Sequence, residues 1–227
     1  MIGLIDFHSH ILPCADHGSD GVDMSLHQLK LMQEADVKTV IATPHFYPDK
    51  INVEPFLKMR SECLERLKKR METGMPDIIM GAEVLICPMM QNMPGLEKLC
   101  IENTDYLLLE MPFYRWSDVL FETVEKIIGI GIKPIMAHID RYNEHDVERL
   151  MRLNVGAQIN AEAVNGFLGR KKIMKWIECG KVVAIGSDLH GDEDYKYFTR
   201  ACKKLGERTN RIMSVSERIL ENDKSVF

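Results

Sequence analysis

The chain has 227 residues, 45% of them hydrophobic and 28% charged, with a formal net charge of −5. This is the make-up of a soluble globular protein, long enough to bury a full core in a single domain spanning 1–227. It excludes the clustered basic excess of a nucleic-acid binder and any apolar run of membrane-spanning length.

Near the N-terminus there is no positively charged region and no cleavage-site pattern, and Asp6 follows the first apolar residues, so no signal peptide is expected. The six cysteines (Cys14, Cys63, Cys87, Cys100, Cys179 and Cys202) are scattered, and none forms a C-x-x-C pair. That favours reduced thiols and a cytoplasmic location.

In chain order, "IGLIDF" (2–7) reads as the first strand. It is a continuous apolar run rather than an alternating one, as in strands buried on both faces. It ends in His8 and His10, with Asp16 in the loop that follows. "SLHQLKLMQEADV" (25–37) puts Leu26, Leu29 and Met32 at helical spacing. "TVIAT" (39–43) is the second strand and leads to His45. "EPFLKMRSECLERLKKRMETG" (54–74) is an amphipathic helix, with Gly74 placed to end it and Pro76 to block resumption. "DIIMGAEV" (77–84) carries Glu83, and "DYLLLE" (105–110) ends in Glu110. A helix at 117–131 precedes "KPIMAH" (133–138), which ends in His138. Helices at 144–156 and 171–180 flank "GAQIN" (156–160). "VVAIGSD" (182–188) ends in Asp188, with His190 just beyond, and the tail from Glu193 to Asn222 reads as two further helices.

Such β-α alternation means an α/β fold with a parallel sheet, either a closed barrel or an open doubly wound sheet. The polar residues decide for the barrel. In a barrel the C-terminal strand ends share one face, and that face carries the chemistry. Nine imidazoles and carboxylates would meet there: His8, His10, Asp16, His45, Glu83, Glu110, His138, Asp188 and His190. Residues at i and i+2 of a strand point to one side, so His8 and His10 face one point. Glu110 follows an apolar run, and an unpaired buried carboxylate is costly. A cation would neutralise it, so the set reads as a metal site.

These residues resemble the PHP (polymerase and histidinol phosphatase) superfamily through "DFHSHILP", "ATPH", "GAEV", "LLLEMP", "AHIDR" and "GSDLH". Within it, "HSHILPCADHGSD", "EMP", "HIDRY" and "QINAEAVNG" are most similar to the bacterial metal-dependent protein-tyrosine phosphatases of capsule and exopolysaccharide loci. The resemblance implies a distorted (β/α)7 barrel with a three-metal cluster. By position, His8, His10, Glu83 and Asp188 would hold one metal; Glu83, Glu110 and His138 a second; Asp16, His45 and His190 a third. Arg141 matches the family's arginine near the phosphate. The pattern departs in three places. His17 stands where a carboxylate is usual, His138-Ile139-Asp140-Arg141 replaces the usual His-Pro-Glu-Arg, and Tyr195 falls about where a second arginine is common, with Lys196 beside it.

Mixed nitrogen and oxygen ligands without thiolates suit Mn²⁺ first, with Fe²⁺ or Zn²⁺ as alternatives. The expected chemistry is phosphomonoester hydrolysis by a metal-bound hydroxide, with Arg141 on the phosphate and Asp16, His17 and Asp140 as candidate proton donors. The expected substrate is a phosphotyrosine protein, a tyrosine-kinase tail, with no nucleic-acid partner and no membrane insertion. One rival is a small-molecule phosphatase of the same fold, such as one acting on histidinol phosphate; another is a metal-binding regulatory module without turnover. A third is a cysteine-dependent phosphatase, because "CKKLGERT" (202–209) fits C-x5-R-[S/T]. That string lies in a helix-like run without the glycine-rich phosphate loop such chemistry needs. His27 and His145 read as solvated helix residues, and the Met-rich stretch 87–95 as an edge of the site or a partner surface.

Overall fold

The structure, a computed structural model, describes residues 3–166, 170–191 and 195–227, so Ile2 and Glu193 of the expected elements lie outside it. Strands and helices alternate: β1 (Leu4–Ser9), α1 (Val22–Glu34), β2 (Val37–Ala42), β3 (His45–Phe46), α2 (Val53–Lys68), β4 (Asp77–Met80), β5 (Glu83–Leu85), β6 (Tyr106–Glu110), α3 (Asp118–Gly129) and β7 (Lys133–Met136). Then come α4 (Glu144–Leu150), β8 (Gly156–Asn160), α5 (Ala161–Asn165), α6 (Arg170–Glu178), β9 (Val182–Gly186), α7 (Lys196–Leu205) and α8 (Glu207–Leu220).

Two pairs of strands are halves of one. Thr43 and Pro44 separate β2 from β3, and Gly81 and Ala82 separate β4 from β5. Pro44 has no N–H for the ladder, so regular pairing stops there. Across the gap Gly81 N donates to Ala42 O (2.9 Å) and Glu83 N to Pro44 O (3.1 Å). Rejoined in this way, the order is β1, β2/β3, β4/β5, β6, β7, β8, β9, parallel throughout. The ring returns to β1 where Asp188 N donates to His8 O (2.8 Å) and His10 N to Leu189 O (3.2 Å). This is a seven-stranded α/β barrel, distorted at the two breaks.

Burial explains the apolar runs. Every residue of β6, β8 and β9 is buried. Fully burying each Leu, Ile or Val contributes about 1.5–3 kcal/mol, which makes these strands the frame on which the rim is built. α2 covers the frame with Val53, Phe56, Cys63 and Leu67. It stops at Lys68, short of Gly74, because its apolar face ends at Leu67. Arg70 N closes back on Leu67 O (2.9 Å), and the Arg70 side chain pairs with Asp23 of α1 (2.7 Å). Gly74 instead turns the chain into β4 with φ +91°, a conformation that favours glycine. α4 likewise ends at Leu150 rather than running to 156, and α5 was not legible as a helix. At the N-terminal end of the barrel the tail packs Phe227 edge-on against Tyr106 (5.5 Å), and Lys133 Nζ donates to Phe227 O (2.8 Å). The opposite rim stays open.

Candidate metal centre

All nine candidate ligands sit on that open rim. His8 and His10 end β1, His45 opens β3, Glu83 opens β5 and Glu110 closes β6. His138 follows β7 and Asp188 follows β9, both with positive φ (29° and 54°). Non-glycine residues held there are strained, and such strain persists where a site over-determines it.

Glu83 is the hub. Its Oε2 lies 3.2 Å from His8 Nε2, 3.3 Å from His10 Nε2 and 2.9 Å from His45 Nδ1. Its Oε1 lies 2.7 Å from His138 Nε2, which is 3.7 Å from Glu110 Oε1. Asp188 Oδ1 stands 3.6 Å from His8 Nε2 and 3.3 Å from His10 Nε2. Three sets of ligand atoms result, each compact enough for one ion: His8, His10, Glu83 and Asp188; His45, Glu83 and Glu110; and His10, His45 and His190.

The surroundings aim these ligands. Gln158 Oε1 receives His8 Nδ1 (3.1 Å) and the His138 backbone N–H (2.7 Å). Gln158 Nε2 donates to Asn160 Oδ1, and Asn160 Nδ2 to Asp188 Oδ2, both at 2.9 Å. Asp16 Oδ2 meets His10 Nδ1 (2.7 Å) and the His45 backbone N–H (3.0 Å), while its Oδ1 accepts from Gly18 N (2.8 Å). With Nδ1 of both rings facing an oxygen, Nε2 of His8 and of His10 is the free ligand atom. Two positions must be glycine for the rings to fit. A Cβ on Gly186 would come within 2.5 Å of His8 Cβ, and one on Gly18 within 2.4 Å of His10 O.

The residues present fit divalent metal ions. Among the described residues, Glu83 Oε2, His45 Nδ1 and His190 Nε2 are buried and find no hydrogen-bond partner, although imidazoles crowd that oxygen. Burial, reinforced by the neighbouring Glu83 charge, pushes Glu110 up to about 7. Burial also lowers His190 to about 4, helped by the charge of His10, which leaves a neutral imidazole. Despite burial, the surrounding imidazoles hold Glu83 well below the usual carboxylate range. Asp188 is held low against the same opposition by His8, His10 and Arg141. A cation between these groups satisfies the orphaned atoms and removes the conflict between adjacent carboxylates.

The remaining sequence candidates are spread around this cluster. Arg141 reaches it, with its NH2 2.6 Å from Asp188 Oδ2 and its side chain 42% exposed. His17 lies exposed at the mouth, its ring stacked on His45 (4.9 Å) and His190 (4.6 Å). Asp140 accepts from Asn160 N (2.8 Å), and burial raises its carboxyl above the ordinary range. Tyr195 does not face the site: it is buried, and its hydroxyl donates to Asp6 Oδ2 (2.7 Å). Lys196 opens α7 as an exposed residue, and residues 192–194 between His190 and Tyr195 lie outside the described ones. Cys202 is buried within α7, its thiol pushed up to about 12 by burial, and Arg208 pairs with Glu178 (2.5 Å) instead of meeting it. No phosphate loop forms around that cysteine. His27 and His145 are exposed, and in the Met-rich stretch Met90 is buried while Met89 points outward.

The amides Gln158 and Asn160 lie within the "QINAEAVNG" stretch, and their part in aiming the ligands is not among the sequence expectations. Their signal was present: two amides at i and i+2 in an otherwise apolar, wholly buried strand.

A profile described as "Capsular polysaccharide synthesis, CpsB/CapC" matches residues 4–227. The chain belongs to the CpsB/CapC family. Tyrosine-protein phosphatase YwqE of Bacillus subtilis is 24% identical over 243 residues, covering 99% of this chain and 94% of that protein. Tyrosine-protein phosphatase CpsB of Streptococcus pneumoniae is 28% identical over 235 residues, covering 90% and 92%. Among solved structures of YwqE and CpsB, described as metal-dependent tyrosine phosphatases, one chain superposes with a TM-score of 0.79 at 21% identity, over 96% of this chain and 95% of that one. The CpsB/CapC fold is therefore the fold described above. Among the described residues no helix is long and apolar enough to cross a membrane.

Proposed function

We propose that this chain is a metal-dependent phosphomonoesterase that hydrolyses phosphotyrosine in a protein. The observation that carries the reading is the sharing of Glu83 by two compact sets of ligand atoms that line the open rim of the barrel. Relatives named tyrosine-protein phosphatase, aligned along nearly the whole chain, support it.

We assign His8, His10, Glu83 and Asp188 to one ion, Glu83, Glu110 and His138 to a second, and Asp16, His45 and His190 to a third; the compact sets of ligand atoms hold His45 in place of His138 and His10 in place of Asp16, with His138 2.7 Å from Glu83 and Asp16 on the His45 backbone N–H. His45 also lies within reach of the second through Glu83. The imidazole and carboxylate set suits Mn²⁺, with Fe²⁺ or Zn²⁺ as alternatives. Such ions, when bound, polarise phosphoryl oxygens and acidify water toward neutrality.

The chain's own groups do the rest. Asp188 orients Arg141, whose guanidinium offers its remaining N–H groups to a phosphoryl oxygen at the mouth. Asn160 Nδ2 donates to the same Asp188 oxygen that Arg141 meets, which leaves Oδ1 facing His8 and His10. A tyrosyl leaving group has a pKa near about 10 and needs little proton help. His17 is the first choice to give it, because it lies exposed at the mouth, whereas both Asp16 oxygens already accept hydrogen bonds and Asp140 Oδ1 is held by Asn160 N. The substrate we infer is the tyrosine-rich tail of a kinase in the cytoplasm.

The test is turnover of a phosphotyrosine peptide beside histidinol phosphate. Turnover of the peptide, abolished by chelator and restored by Mn²⁺, supports the reading. Preference for histidinol phosphate moves the activity to small molecules, and turnover indifferent to chelator overturns it.

A further inference from the structure

The loop that leaves β6 carries two aromatic side chains into solvent: Phe113 is 68% exposed and Tyr114 70%. Adjacent apolar rings left in water at the edge of a cleft mark a contact surface. Phe113 is held in place on one side only. Its ring lies within 14° of parallel to that of His138, with centroids 6.0 Å apart, and 5.8 Å from Tyr142. The loop beneath it is pinned, because buried Trp116 donates from Nε1 to Pro112 O (2.8 Å) and packs edge-on against Tyr142 (5.1 Å). Since His138 touches Glu83 at 2.7 Å, one face of Phe113 backs onto the cluster and the other is open.

Phe113 lines a cleft of about 850 Å³ that Arg141 also lines. The cleft is therefore lined both by a guanidinium, Arg141, and by the ring of Phe113. Arg115, exposed in the same wall, has no ion-pair partner among the described residues, and Arg115, Arg141 and Arg149 together outnumber Asp118 and Asp146 in the lining, which favours an anionic occupant. The ring of an aryl phosphate stands one ester oxygen from phosphorus. With its phosphoryl group on Arg141 its ring stays within the same cleft, whereas an alkyl ester has no face to offer.

We propose that Phe113 is a specificity-determining residue: its exposed face receives the aromatic ring of an aryl phosphate and selects phosphotyrosine over alkyl phosphates. This rests on the phosphatase reading and goes further, naming the residue that makes the choice. Offset aromatic pairs form over this range of separations, and the ring adds buried area that an alkyl chain matches poorly.

The experiment compares benzylphosphonate with n-butylphosphonate, titrated calorimetrically into Mn²⁺-loaded wild type, Phe113→Ala and Phe113→Trp. Turnover of phosphotyrosine and phosphoserine peptides is measured alongside. Wild type is expected to bind the benzyl compound about tenfold more tightly. Phe113→Ala should lose that preference by weakening the benzyl compound alone, with bound metal unchanged, and Phe113→Trp should keep it. In turnover, Phe113→Ala should raise KM for the phosphotyrosine peptide with kcat little changed. No aryl preference in wild type, or an equal loss for both phosphonates in Phe113→Ala, overturns the proposal. If neither peptide is turned over, the phosphatase reading falls while the phosphonate titrations still decide the ring contact.

Discussion

His8 and His10 bring their Nε2 atoms to 3.1 Å, and each ring is backed by an oxygen, Gln158 Oε1 at 3.1 Å and Asp16 Oδ2 at 2.7 Å. Two lone pairs so close require a shared proton or a cation between them. The rest of the rim is arranged around that need.

Without metal, protons fill the gap. Burial opposes charging of both rings, but Glu83 and Asp188 beside His8, and Asp16, Asp188 and Glu83 beside His10, outweigh it and hold both above the ordinary imidazole range. Metal must displace those protons, so its affinity rises with pH. Calorimetric Mn²⁺ titrations in buffers of different ionisation enthalpy should show proton release at neutral pH. They should also show tighter binding at pH 8 than at pH 6. A metal that binds the native state alone stabilises it by about 2.7 kcal/mol at one hundred times Kd, so the melting temperature should rise with Mn²⁺ and fall with chelator.

Gln158→Ala should leave the fold intact by circular dichroism while weakening metal binding about 10–100-fold, since it removes the acceptor that fixes His8. A fall confined to stability, with affinity unchanged, would assign Gln158 to packing alone.

Gly186→Ala should lose metal binding as well as stability. The added methyl collides with His8 Cβ and with Gln158 Nε2 (2.7 Å), and overpacking of this kind costs about 1–3 kcal/mol. Urea midpoints and metal titration together measure both effects.

The apolar runs read the barrel correctly because strands buried on both faces carry no polar interruption until the rim, where the ligands follow at once. Two kinds of feature were not legible. The breaks at Pro44 and at Gly81–Ala82 depend on how neighbouring strands meet, which local propensity does not register. The partners of Gln158, Asn160 and Tyr195 lie in strands or loops far away in the chain: His8 is 150 positions from Gln158, and Asp6 is 189 from Tyr195. Tyr195 aligned with a phosphate-binding position, yet its phenol is taken up by the core.

Asp6 gives the fold a pH signature. Burial raises its carboxyl from 3.8 to about 6, although Ser187, Tyr195 and the His8 N–H all donate to it. A carboxyl raised on folding favours the native state below the unfolded pKa, and that contribution is lost as pH rises through about 6. The change amounts to about 3 kcal/mol. Asp6→Asn should therefore gain stability relative to wild type as pH rises from 4 to 7, read from urea midpoints. A constant difference would exclude Asp6 as the titrating group.

Cys202→Ser should leave phosphatase activity unchanged, because the thiol is buried in a helix away from the rim. Insensitivity of wild type to thiol reagents is the parallel check.

The most direct measurement titrates metal-free protein with Mn²⁺, counts bound ions and reads phosphotyrosine-peptide turnover at each point, for wild type and Glu83→Gln. Wild type should bind more than one ion per chain, with turnover rising as the sites fill, and Glu83→Gln should lose more than one ion together with turnover. A single ion lost from the variant with turnover retained, or wild-type turnover independent of bound metal, would contradict a centre built around Glu83.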